Sequence, residues 1–115
     1  MQPNRQFSAE LKFHFIEHTA PERRRWFMFG SDLHRRVPMA MDGVDGLNTV
    51  GMWSKKPATF HAGDSTIVDC TVLAPMLYAA TVKPGVTFEL WDGGFFATGT
   101  VLERFESGWP NENSA

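Results

Sequence analysis

Phe7-Ser8-Ala9-Glu10-Leu11-Lys12-Phe13-His14-Phe15 is the stretch that decides the fold. Every odd position is apolar, while Ser8, Glu10, Lys12 and His14 between them are polar. Side chains alternate across a strand, so this pattern gathers Phe7, Ala9, Leu11, Phe13 and Phe15 on one face; a helix would scatter them around its circumference. The spacing predicts a half-buried strand. Leu11, Phe13 and Phe15 are expected in a core shared with alternate residues of the last strand, such as Val101 and Phe105.

Working outward, period two recurs. Residues 18–25 are polar, contain Pro21 and read as a loop. Trp26-Phe27-Met28-Phe29, stopped by Gly30, is a short strand. Residues 34–41 form another; Pro38 inside it cannot donate to a ladder, which predicts an edge or a bulge there. Residues 42–46 carry two glycines and form a turn, and residues 47–53 a weaker strand interrupted by Gly51. Gly63-Asp64 turns into Ile67-Val68-Asp69-Cys70-Thr71-Val72-Leu73, rich in β-branched residues, and Pro75 ends or bends that strand. Lys83-Pro84-Gly85 has the order a type II turn wants. Residues 86–91, the Asp92-Gly93-Gly94 connection and residues 95–105 read as a hairpin. No stretch carries a helical period over ten residues. Six or seven strands in a short chain predict an all-β fold, a sandwich or a small closed antiparallel β-barrel of about six strands, and closure is favoured because it removes exposed edges.

The composition supports one such domain. The 115 residues are 43% hydrophobic and include ten Phe and four Trp, enough for a sizeable core without disulfide or metal. Residues 1–6 are expected to be a disordered N-terminus, residues 7–106 the barrel and residues 107–115 a flexible tail. Cys70 is the only cysteine, which excludes an intrachain disulfide and suits a reducing cytosol. Residues 1–6 have no apolar run of the kind a secretion signal needs, and no stretch approaches the ~20 apolar residues of a membrane-spanning helix. A soluble cytoplasmic protein with no membrane partner is expected. Net charge is −2, but unevenly spread: residues 1–60 hold nine of the eleven bases against six acids, and residues 61–115 hold two bases against seven acids. Such asymmetry suits an interaction surface.

The stretch from Ala62-Gly63-Asp64 through Val72-Leu73-Ala74-Pro75, then Gly85-Val86-Thr87-Phe88-Glu89-Leu90-Trp91-Asp92-Gly93-Gly94-Phe95-Phe96-Ala97-Thr98-Gly99-Thr100-Val101, resembles the third, C-terminal β-barrel domain of elongation factor Tu. Phe7-Ser8-Ala9-Glu10-Leu11 is similar to that domain's first strand, and Trp26-Phe27-Met28-Phe29-Gly30 falls where its Pro-Phe-Phe-x-Gly segment would. The resemblance spans residues 7–105 in element order and is sharpest over residues 63–101. It implies a stand-alone barrel, and as a partner the stem of a transfer RNA. The chain departs from the family in the regions that hold that stem: Phe95 replaces the Arg after the hairpin glycines, Ser31-Asp32-Leu33-His34 replaces a Tyr-Arg-Pro-Gln stretch, and residues 76–84 form a longer link. No Gly-x-x-x-x-Gly-Lys loop is present, so no nucleotide is expected.

Candidate chemistry is sparse. His14, His18, His34 and His61 show no zinc-site spacing, and no metal or cofactor is expected. Gly63-Asp64-Ser65 could belong to an esterase block, yet it reads as a turn before a strand. Cys70 shares a face with Val68 and Val72, the setting of an inert buried thiol. The sharpest cluster is Arg23-Arg24-Arg25-Trp26 with Arg35-Arg36, five of eleven bases within fourteen residues beside an aromatic. Guanidiniums fork onto phosphate and an indole stacks on bases, so these six residues are the expected contact surface if the turn at Gly30-Ser31 folds them together. The expected function is a noncatalytic binding module. Trp, Met and Arg favour a partner protein or self-association, in a translation-associated accessory or an inhibitor or immunity-type role. Structured RNA is the alternative partner.

Overall fold

The computed structural model describes residues 4–14 and 26–109. Its elements run β1 (Phe7–Phe13), β2 (Trp26–Phe29), β3 (His34–Met41), β4 (Asn48–Trp53), β5 (Ala58–His61), β6 (Ser65–Val72), a one-turn helix α1 (Pro75–Tyr78), β7 (Thr87–Trp91) and β8 (Phe95–Arg104). Six strands close a barrel in the order β1-β6-β4-β3-β7-β8, and β8 pairs back onto β1. Every pairing is antiparallel. The all-β class and the closed six-stranded barrel are as the periodicity predicts.

The alternation in β1 performs as expected. Phe7, Ala9, Leu11 and Phe13 point inward and are buried, together with Val68, Cys70, Val50, Met52, Met39, Leu90 and Val101 from the neighbouring strands. Phe105 is only half-buried, and Phe15 lies outside the described residues. Gly99 lies within β8 for a packing reason: a Cβ there would overlap the outer ring carbons of Phe88. The Lys83-Pro84-Gly85 turn has Gly85 at φ 94° and a hydrogen bond from the Val86 N–H to the Lys83 carbonyl, as a type II turn requires. Pro38 is not at the edge or bulge that the sequence predicts: β3 lies between β4 and β7 without a register shift, and Pro38 pairs with Thr49 of β4 just outside the β3–β7 pairs, which start at Met39.

One barrel end is closed by β2, which the sequence predicts, together with β5, which it does not, and the other by α1, which it does not. β5 pairs with β2 as a separate two-stranded sheet. From it Phe27 and Phe60 stack on Phe13 at 5.7 and 5.1 Å between ring centroids, and Phe96 lies 5.3 Å from Phe27. At the opposite end α1 drops Tyr78 into the core beside Val82. The flanks of the barrel join it there. Gln6 is buried; its side-chain oxygen accepts from the Val72 N–H at 2.7 Å, and its carbonyl accepts from the Trp109 indole at 3.0 Å. Gln6 and Trp109 thus belong to the packed unit, inside the segments that composition alone assigns to loose termini. A helix long and apolar enough to cross a membrane does not occur among the described residues.

Candidate functional site

β3 separates the arginines that the sequence groups together. Arg35 and Arg36 are consecutive on a strand, so they leave it on opposite sides. Arg35 takes the side of Val37, where its Nη1 donates to the Met28 carbonyl at 2.7 Å and its guanidinium carbon lies 4.4 Å from the Phe27 ring centroid. It therefore ties the edge of β2 to the barrel. Trp26 points the other way from Phe27, across from His61, and is exposed. Arg36 is exposed on the outer barrel wall. Arg23, Arg24 and Arg25 lie outside the described residues. Of the three described members, Arg35 reaches β2 on the face opposite Trp26, and Arg36 belongs to a different surface.

That surface has its own cluster. The Arg5 guanidinium carbon lies 4.0 Å from the Trp53 ring centroid, and the His34 ring is 4.4 Å from the same indole. Gly51, opposite Arg36, leaves room for this packing: a Cβ there would come within 3.1 Å of His34 Nε2. Burial lowers the His34 pKa, Arg36 and Arg5 add to that effect, and Asp32 opposes it. The indole is thus already engaged by groups of this chain, Asp69 lies across the ladder from Trp53, and Asp32 acts on His34 against Arg36 and Arg5. Neither a free stacking platform nor a field of one sign results.

Catalytic constellations fare no better. A shallow trough of about 510 Å³ is lined by Ala40, Met41, Asp42, Thr87, Phe88, Glu89 and Thr98. His14 Nε2 is 3.2 Å from Thr98 Oγ1 at its side, which pairs a hydroxyl with a base. The third member of a hydrolytic triad would orient that base through its other nitrogen, but His14 Nδ1 is buried without a hydrogen-bond partner among the described residues. Burial holds the Cys70 thiol far above its ordinary pKa, with Asp69 adding to the shift, so it stays protonated. Asp64 closes its turn by accepting from the His61 N–H at 2.8 Å, leaving Gly63-Asp64-Ser65 a strand-entry turn. Among the described residues no three His, Cys, Asp or Glu side chains gather as a metal site would need.

The most distinctive surface is one that the sequence reading passes over. β6 ends at Val72, and the chain then runs Leu73-Ala74-Pro75-Met76-Leu77. Leu73, Met76 and Leu77 are 67%, 75% and 57% exposed. Leu47, just before β4, is 47% exposed at the same barrel end, because Val50 of β4 pairs with Val72 of β6. α1 is nonetheless firmly held. Pro75 opens it, the Leu77 N–H donates to the Ala74 carbonyl at 3.0 Å, and Tyr78 is fully buried. Arg104 Nη1 donates to the carbonyls of Ala79 and Val82 at 2.6 and 2.8 Å, clamping the segment that follows. The available signal was an apolar run continuing beyond the strand after its period-two register had ended. Neither a protein-family model nor a curated protein matches this chain.

Proposed function

We propose that this barrel is a noncatalytic binding module that engages a partner protein through Leu47, Leu73, Met76 and Leu77. One observation carries the reading. α1 is anchored by buried Tyr78 and by Arg104, yet two of its four residues, Met76 and Leu77, turn large apolar side chains into solvent. A connecting turn gains nothing from such residues, and a contiguous apolar patch on a rigid support is the usual mark of a protein contact. Rigidity also limits the ordering entropy lost on binding. The barrel supplies the support, and no constellation of nucleophile, oriented base and charge-stabilising donors competes with this reading among the described residues.

The test compares the wild-type chain with a Met76→Ser/Leu77→Ser variant as bait in an extract of the cells that make the protein. Both should melt within a few degrees of each other, since solvent-facing changes shift stability by about ±0.5 kcal/mol. A discrete protein retained by the wild type and lost from the variant is the expected result. Identical retention by both baits would remove the corner from consideration. A salt-dependent mobility shift with transfer RNA, unaffected by the variant, would favour the RNA reading instead.

A further inference from the structure

We infer that the partner of the Leu47–Leu73–Met76–Leu77 corner is a different protein that presents an apolar groove flanked by lysine or arginine. This rests on the reading of the corner as a protein-docking site and adds the chemistry of what docks there.

Size comes first. Four aliphatic side chains expose a few hundred Å² at most, whereas each side of a stable complex contributes about 800 Å². The interface must therefore extend onto the neighbouring loops. Gly43 lies against Thr81, since a Cβ on it would come within 3.3 Å of the Thr81 methyl, so the 42–46 loop borders the segment after α1. That loop carries Asp42 and Asp45, both exposed, and Asp45 is two residues from Leu47. At the segment after α1, Arg104 turns inward to the Ala79 and Val82 carbonyls, and its Nε donates to both oxygens of Glu106 at 3.0 Å, leaving exposed Lys83 against Asp42 and Asp45.

Charge then selects the occupant. A two-fold contact that brought the two 42–46 loops together would set Asp42 and Asp45 against their own copies, which is repulsive. An apolar groove with a basic rim meets both features: the aliphatic side chains fill the groove, and the rim pairs with Asp42 and Asp45. Rim charges of this kind act mainly on the rate of encounter.

The experiment places photo-reactive p-benzoylphenylalanine at position 76 of the full chain, with position 91 at the other barrel end as control. The adduct formed in the native extract is mapped by mass spectrometry. The expected adduct joins one other protein at an apolar groove whose flanking positions are Lys or Arg. With that protein purified, Asp42→Lys/Asp45→Lys should slow association about tenfold or more at low salt, the two rates converging at high salt. Circular dichroism confirms that the variant is folded. An adduct between two copies, a cross-linked surface that is acidic or uncharged, or association unchanged by the charge reversal would overturn the inference while leaving the docking reading intact. Absence of any adduct specific to position 76 would overturn both.

Discussion

Arg35 Nη1 donates a 2.7 Å hydrogen bond to the Met28 carbonyl on the β2 edge, while the next residue, Arg36, stands exposed on the opposite side of β3. Two adjacent arginines thus have unrelated jobs. One joins the small sheet to the barrel. Arg35→Ala should cost about 1 kcal/mol or more, from a lost charge-assisted hydrogen bond and a lost guanidinium–ring contact. Arg36→Ala should stay within about ±0.5 kcal/mol. Urea unfolding of both variants, compared at equal slope, checks the difference; equal costs would contradict the assignment.

Phe13 is 1% exposed and stacked among Phe27, Phe60 and Phe96. Phe13→Ala should lower stability by roughly 3–5 kcal/mol, because the lost transfer energy adds to a cavity that the stacked rings cannot fill. A loss below about 1 kcal/mol, read from denaturant midpoints, would mean that the aromatic end is not packed in this way.

Gly99 and Phe88 form a size-matched pair, so Gly99→Ala should be destabilising by about 1–3 kcal/mol through overpacking. Shrinking the neighbour should recover part of it. Phe88→Leu alone removes buried volume, yet the double variant should be more stable than the sum of the single losses. A thermodynamic cycle on the four proteins measures that coupling, and strict additivity would show that the ring does not lie on Gly99.

His34 provides a pH dependence whose sign is definite. Burial, Arg36 and Arg5 hold its pKa below the ordinary 6.5, so the unfolded chain takes up a proton before the folded one does. Stability should therefore fall as pH drops below about 6.5, and the contribution should level off once the folded imidazole is protonated as well. His34→Gln should flatten this part of the profile. Melting curves between pH 7.5 and about 5 on both proteins make the comparison.

The single chain of residues already contains most of the barrel. β1 is legible because four inward apolar side chains on alternate positions can be satisfied only by a strand with one face on a core. The β7–β8 hairpin is legible from Asp92-Gly93-Gly94, and the inert setting of Cys70 from its place between Val68 and Val72. These are local properties, carried by backbone preference and by side-chain alternation. Even the parting of Arg35 from Arg36 was implicit in β3, since neighbours on a strand cannot share a face.

Tertiary structure alone decided the rest. β5 has a single large apolar residue, Phe60, and becomes a strand because β2 pairs with it over the aromatic cluster. α1 is one turn long, too short to form by its own propensity, and exists because Tyr78 fills the barrel end and Arg104 holds the carbonyls behind it. The exposure of Leu73, Met76 and Leu77 follows from that closure. An apolar run has no inside or outside until the barrel shuts, and here Tyr78 is the residue of α1 that is buried.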